Sequence, residues 1–150
     1  MPTLTPLTKA EVKSLVDQWY FLLDVHANVQ ELLSLLDDSG LEMRLPETTL
    51  HNNDEFVSWY EGVIRIFFDE VHILQSLKIT VYPGRPEADI DLVVKWLAKR
   101  WKAPAPRSEW LGFDVAQHWE VVRSSQTQKP VIRRYIVKAL TPMEGSVALL

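Results

Sequence analysis

Apolar residues recur at Val12, Leu15, Val16, Trp19, Leu22 and Leu23, the spacing of a helix that buries one face. Thr8 stands just ahead of this run with Glu11 three residues on, which is capping-box spacing and predicts the helix start. A shorter helical pattern, Val29, Leu32, Leu33, Leu35 and Leu36, follows a break at Ala27-Asn28. It stops at Asp37-Asp38-Ser39-Gly40, where a glycine is available for a left-handed cap. Leu41 to Leu45 alternates as a brief strand before Pro46. Beyond the polar loop Glu47 to Asn53, Asn52 and Glu55 mark a third helix, whose apolar stripe is Phe56, Trp59, Tyr60, Val63, Ile66 and Phe67.

In the second half the period falls from about 3.6 to 2, the mark of a change from helix to sheet. Val71 to Tyr82 places Ile73, Leu77, Ile79 and Val81 on one face. Ile90 to Lys102 sets Leu92, Val94, Trp96 and Ala98 opposite Lys95 and Lys99, and Leu111 to Val122 groups Leu111, Phe113, Val115, Trp119 and Val121. Val131 to Leu140 sets Ile132, Ile136 and Leu140 against Val131, Arg133, Tyr135 and Val137. Hairpin connections are expected at Pro83 to Pro86, Pro104 to Ser108 and Ser124 to Pro130. The expected architecture is α+β, with three N-terminal helices packed on a strongly curved antiparallel sheet.

Composition narrows the class. A chain of 150 residues, 47% hydrophobic, suits one domain, 1–150, that buries roughly 70% of its unfolded surface. The absence of Cys excludes disulfides, thiolate zinc sites and a cysteine nucleophile. Sixteen Lys and Arg against twenty Asp and Glu give a net charge of -4, so no nucleic-acid partner is expected. The amino-terminal MPTLTPLTKAEV lacks the unbroken apolar core of a secretory signal. The most apolar stretch elsewhere, Val63 to Leu77, is interrupted by Arg65, Asp69, Glu70 and His72 and cannot cross a bilayer. A soluble, cytoplasmic chain without a membrane partner is therefore expected. No nucleotide-binding glycine loop or Gly-x-Ser-x-Gly elbow occurs, and the His spacing fits no metal motif, so neither cofactor nor metal is expected.

The order helix, half-helix, short strand, helix and four-strand meander resembles the NTF2-like superfamily, and within it the SnoaL-like proteins with their cystatin-like α+β cone. The resemblance spans nearly the whole chain. It is carried by Trp19-Tyr20-Phe21-Leu22-Leu23-Asp24 running into Gln30-Glu31-Leu32-Leu33-Ser34-Leu35-Leu36, similar to the family's helix, polar break and half-helix. It is also carried by Val71 to Leu77, which looks like the family's His-x-x-x-Asn segment with Ser76 where Asn is usual. The resemblance implies a pocket between helices and concave sheet, lined by aromatics with a few convergent polar groups. Family members isomerise, dehydrate or cyclise with an Asp or an Asp/His pair, hydrolyse epoxides, bind ligands without chemistry, or dimerise through the sheet.

His72 matches the family's pocket histidine, and imidazole is the side chain most readily tuned to exchange protons near neutral pH. Strict alternation sets it opposite Ile73, Leu77, Ile79 and Val81, so either His72 faces outward or a bulge near Gln75 switches the faces. Asp24 and Tyr20, four apart, share a helix face and resemble the dehydratase Tyr/Asp pair, though in that pattern the two are adjacent. Two roles fit Asp24: orienting His72, or capping the next half-helix beside Asn28. His26 could join the same cluster or bond to backbone. For a small apolar or aromatic ligand the candidates are Trp19, Trp59, Tyr60, Ser76, Trp96 and Trp119, although each aromatic also fits a plain core or interface role. His118 and Asp114 share the polar sheet face and suit a subunit interface in a homodimer formed through the sheet; His51 carries no role. Two functions follow. One is a pocket protein performing acid/base isomerisation, dehydration or cyclisation without a cofactor, with His72, Asp24 and Tyr20 as its catalytic residues. The other is a non-catalytic binding or dimerisation module, whose cavity would be filled by its own aromatics.

Overall fold

Helix α1 (Lys9–Asp24) starts on the Thr8 capping box, with the Glu11 amide donating to Thr8 Oγ1 and the Thr8 amide donating to Glu11 Oε1, each at 3.2 Å. The computed structural model describes residues 4–150; residues 1–3 of the expected single domain lie outside the described residues. α1 ends in a Schellman turn: the Ala27 amide donates to Leu22 O (3.0 Å) and the His26 amide to Leu23 O (3.2 Å). His26 takes the left-handed position of that turn, at φ 51°.

α2 (Val29–Leu33) is capped by Asn28, whose side chain accepts from the Gln30 amide. It is shorter than the apolar spacing suggests. Leu35 and Leu36 leave the helix to bridge Ile132, with Ile132 N donating to Leu35 O and Asp37 N to Ile132 O, both at 2.8 Å. Strands β1 (Glu42–Arg44) and β2 (Thr49–Leu50) form a small antiparallel ladder, so the expected polar loop carries a strand. α3 (Asn53–Ile66) is capped by Asn52, which accepts from the Glu55 amide at 2.8 Å.

Four long strands follow, β3 (Phe67–Val81), β4 (Glu87–Arg100), β5 (Glu109–Arg123) and β6 (Pro130–Pro142), as an antiparallel meander. The sheet order is β2-β1-β6-β5-β4-β3, and β1 runs parallel to β6. The sheet is thus mixed, not purely antiparallel, because the chain reaches β1 from the helical layer and adds it to the far edge of the meander. Among the described residues no helix is long and apolar enough to cross a membrane.

Bulges decide which side chains face the helices. In β3, Leu74 opposes Val94 and Ser76 opposes Val93, leaving Gln75 unopposed; Asp69 and Glu70 together stand against Ala98, with Asp69 at φ 52°. Glu70, His72 and Leu74 therefore point inward ahead of Gln75, and Leu77, Ile79 and Val81 after it. Val71 and Ile73 face out, 42% and 43% exposed, so Ile73 does not share a face with Leu77 as plain alternation suggests. β6 carries two bulges as well, at Arg133 and Lys138, which have no partner in the β5 register. Its inward set is Ile132, Tyr135, Val137 and Leu140; Ile136 faces out opposite His118, contrary to the expected parity.

The core is aromatic. Trp19 meets Phe56, Trp119 and Tyr135 at centroid separations of 5.9, 6.4 and 5.8 Å, and Trp119 meets Tyr135 at 5.0 Å. Buried Arg123 clasps the amino-terminal segment, donating to Thr5 O, Pro6 O, both Glu11 carboxylate oxygens and Gln128 O.

Deleting Gln75 removes the bulge, and a one-residue slip sends either Glu70, His72 and Leu74 or Leu77, Ile79 and Val81 to the outer face. The deletion is expected to lower unfolding free energy by several kcal/mol, from lost burial at about 25 cal/mol per Å². Gln75→Ala, at an exposed site, should stay within about 0.5 kcal/mol. Urea unfolding of the two variants checks both outcomes.

Candidate active site

α3 is only half covered. Of its apolar stripe, Phe56 and Tyr60 reach the core, whereas Trp59, Val63 and Ile66 line a cavity of about 500 Å³ between α3 and the inner face of the sheet. Trp96 of β4, Val115 of β5, and Val137 and Leu140 of β6 form the opposite wall. At one side Arg100 donates to Leu149 O (2.8 Å) and Ala148 O (2.6 Å), which brings Leu149 and Leu150 against the cavity. The aromatic residues frame this space and do not fill it.

His72 lines the cavity from β3. The Asp24 carboxylate, on the last residue of α1, lies behind it: Oδ1 is 2.6 Å from His72 Nδ1, and Oδ2 accepts from the His72 backbone amide at 3.1 Å. This two-point grip fixes the ring. With Nδ1–H donating to the carboxylate, Nε2 is the nitrogen left to take up a proton. Asp24 does not cap α2, a position held by Asn28. Tyr20 stacks on the His72 ring (4.9 Å, 28°) and donates to Gln117 Oε1 at 3.2 Å. Neither Tyr20 nor Asp24 lines the cavity; both support the residue that does.

Of the six residues expected to meet a ligand, Trp59 and Trp96 line the cavity. Trp19, Tyr60 and Trp119 do not, since each is packed in the core behind the wall. Tyr60 instead donates to Ala27 O (2.7 Å), tying α3 to the break after α1. Ser76 also lies outside the cavity: the Gln75 bulge turns it to the outer sheet face. His118 is likewise on that face, 3.0 Å from Asp91 Oδ1.

Gln117 and Glu70 are among the cavity residues that escaped the sequence reading. Gln117 shares a face with Val115 and Trp119, and its Oε1 accepts from both Tyr20 Oη and Trp119 Nε1 (2.9 Å). With the oxygen held by two donors, the amide nitrogen is the end available to a ligand oxygen. The signal was present as a polar residue within an apolar strand face. Glu70 lies two residues before His72 and so on the same face; it accepts from Trp96 Nε1 (3.0 Å) and pairs with His26 Nε2 (2.5 Å). Once His72 is turned inward, alternation turns Glu70 inward too.

No family model and no curated protein matches the chain. Solved structures do match. An NTF2-like superfamily protein from Salmonella enterica superposes with a TM-score of 0.70 at 13% identity, over 95% of this chain and 96% of that one. A protein of unknown function with a cystatin-like fold from Nostoc punctiforme gives 0.68 at 13% identity, over 97% and 98%. The chain has the NTF2-like fold. A third structure of this fold, the hexachlorocyclohexane dehydrochlorinase LinA-type3 from Novosphingobium barchaimii, gives a TM-score of 0.72 at 13% identity, over 95% of this chain and 94% of that one. In the NTF2-like cone of this chain the cavity sits on the concave side of the sheet, with the His72 imidazole and the Glu70 carboxylate both on its wall.

Every tyrosine ionises above the ordinary value of 10. Burial pushes Tyr20 far up, lifts Tyr60 to about 12 and raises Tyr135, while Tyr82 is raised by its hydrogen bond to Asp89. A phenol whose folded pKa is raised favours the fold below pH 10, and for Tyr60 that contribution is lost as pH climbs from 10 toward 12. A spectrophotometric titration should find little tyrosinate at pH 10 in the folded protein, and about half ionisation in the protein unfolded by urea.

Proposed function

We propose that this protein is a cofactor-independent acid/base catalyst, acting on an apolar, ring-bearing small molecule by elimination or isomerisation, a class that includes dehydration and cyclisation. One observation carries the reading: the Asp24 carboxylate holds His72 through both Nδ1 and the backbone amide while the same imidazole lines a cavity of about 500 Å³. That is the arrangement of a general base. His72 Nε2 takes the substrate proton, and Asp24 stabilises the imidazolium that results. The apolar walls from Trp59, Trp96, Val115 and Leu140 hold the ring and strengthen each polar contact by excluding water. The Gln117 amide nitrogen and the Tyr135 hydroxyl supply donors to a substrate oxygen as charge develops there. One structure of the same fold is a dehydrochlorinase, and loss of HCl is an elimination of the class proposed. A purely structural module with a cone plugged by its own aromatics fits less well, since the cavity stays open.

The probe is 5-nitrobenzisoxazole, whose ring opens to a nitrile and a phenolate when one base removes its C–H proton. The wild-type protein should open it faster than free imidazole at equal concentration. His72→Ala should cost on the order of 10²-fold or more, and Asp24→Asn at least about tenfold because the ring tautomer is released. Wild-type turnover no faster than imidazole, or undiminished in His72→Ala, overturns the reading.

A further inference from the structure

α1 and β3 exchange acid and imidazole twice. The end of α1 supplies Asp24 and His26, and β3 supplies His72 and Glu70. In the first pair the imidazole faces the cavity with the carboxylate behind it. In the second the order is reversed: Glu70 lines the cavity and His26 lies behind it, its Nε2 2.5 Å from Glu70 Oε2. Glu70 and His72 are two residues apart on one strand face, so they stand about 7 Å apart along the same wall. A substrate lying between them meets a base at one end and a carboxyl at the other.

Resting on the base role of His72 given above, we propose that Glu70 is a second catalytic residue, the acid that protonates a leaving oxygen, and that His26 restores its proton from solvent. The Glu70 side chain is 5% exposed and that of His26 27%, so the pair spans from the dry wall to water. Burying a carboxyl here costs several kcal/mol more than an apolar side chain would, and packing gives no reason for it. His26 also holds a position that glycine or asparagine fills at less cost, with φ at 51°. Both departures from the cheapest sequence serve the same contact. Trp96 Nε1 donates to Glu70 Oε1 and holds the carboxyl in place.

The step balances. His72 Nε2 takes the proton from carbon, and the C–H electron pair becomes the new π bond. The bond to the leaving oxygen breaks with its pair on that oxygen, which takes the Glu70 proton and departs neutral. His26 then passes a proton to Glu70 and draws one from water, while His72 returns its own to water.

Two probes separate this role from that of His72. Unsubstituted benzisoxazole opens by the same proton removal as 5-nitrobenzisoxazole, but its phenolate is a poorer leaving group and gains more from an acid. The readout is the ratio of kcat/KM for the parent over the nitro compound. Glu70→Gln and His26→Asn should each lower that ratio by about tenfold or more relative to wild type. Asn accepts the left-handed conformation, so His26→Asn keeps the turn after α1, and any loss of Tm reports the buried Glu70 carboxyl left without its partner. A ratio unchanged in both variants overturns the proposal, whether the two rates fall together or not at all. If the wild-type protein opens neither compound, or His72→Ala opens both undiminished, the base reading fails and this proposal with it. His72-dependent turnover with an unchanged ratio removes Glu70 alone.

Discussion

A strand offers its neighbours every second side chain, and β3 must satisfy two demands that this period cannot meet without interruption. Toward its start it faces the cavity with Glu70, His72 and Leu74; toward its end it faces the core with Leu77, Ile79 and Val81. The two sets differ in parity, and the extra residue at Gln75 reconciles them. The same device recurs in β6, where Arg133 and Lys138 let Ile132, Tyr135, Val137 and Leu140 share the inner face. Bulges bend and twist a strand, so the residues that set the faces also curve the sheet around the cavity.

The end of α1 is the second fixed point. A Schellman turn stops the helix, and within three residues it places Asp24 against His72 and His26 against Glu70. Tyr20, one turn earlier, stacks on His72 and reaches Gln117. The polar groups at this junction are thus oriented by backbone geometry and by one another. Such preorganisation lets a base act without rearranging in the reaction.

Core and cavity divide the aromatic residues between them. Trp19, Phe56, Tyr60 and Trp119 pack tightly behind the wall and supply apolar burial, while Trp59 and Trp96 remain at the surface of an open space. Each indole on the wall donates to a carboxylate, Trp59 to Glu47 and Trp96 to Glu70. α3 accordingly buries less of its stripe than a helix packed wholly on the core.

The helix starts at Thr8 and Asn52, the change of period near residue 70 and the α+β order of elements all follow from local chemistry, and they were legible in the sequence; the cap of α2 was offered to Asp24 and falls to Asn28. Caps and amphipathic periods involve residues a few positions apart, so a linear reading captures them. The candidate site was legible in part: His72, Asp24 and Tyr20 could be named as a group, and the bulge at Gln75 could be stated as one of two alternatives. The choice between those alternatives belongs to the register of β3 on β4. The parallel pairing of β1 with β6, the bulges of β6, and the placement of Trp19, Tyr60, Trp119 and Ser76 outside the cavity are likewise set by segments distant along the chain. Glu70 and Gln117 are single polar residues within apolar patterns, and what each one does depends on the partners that folding brings to it: His26 and Trp96 for one, Tyr20 and Trp119 for the other. Local periodicity determined which elements form; the registers between them, which depend on contacts tens of residues apart, decided which side chains meet.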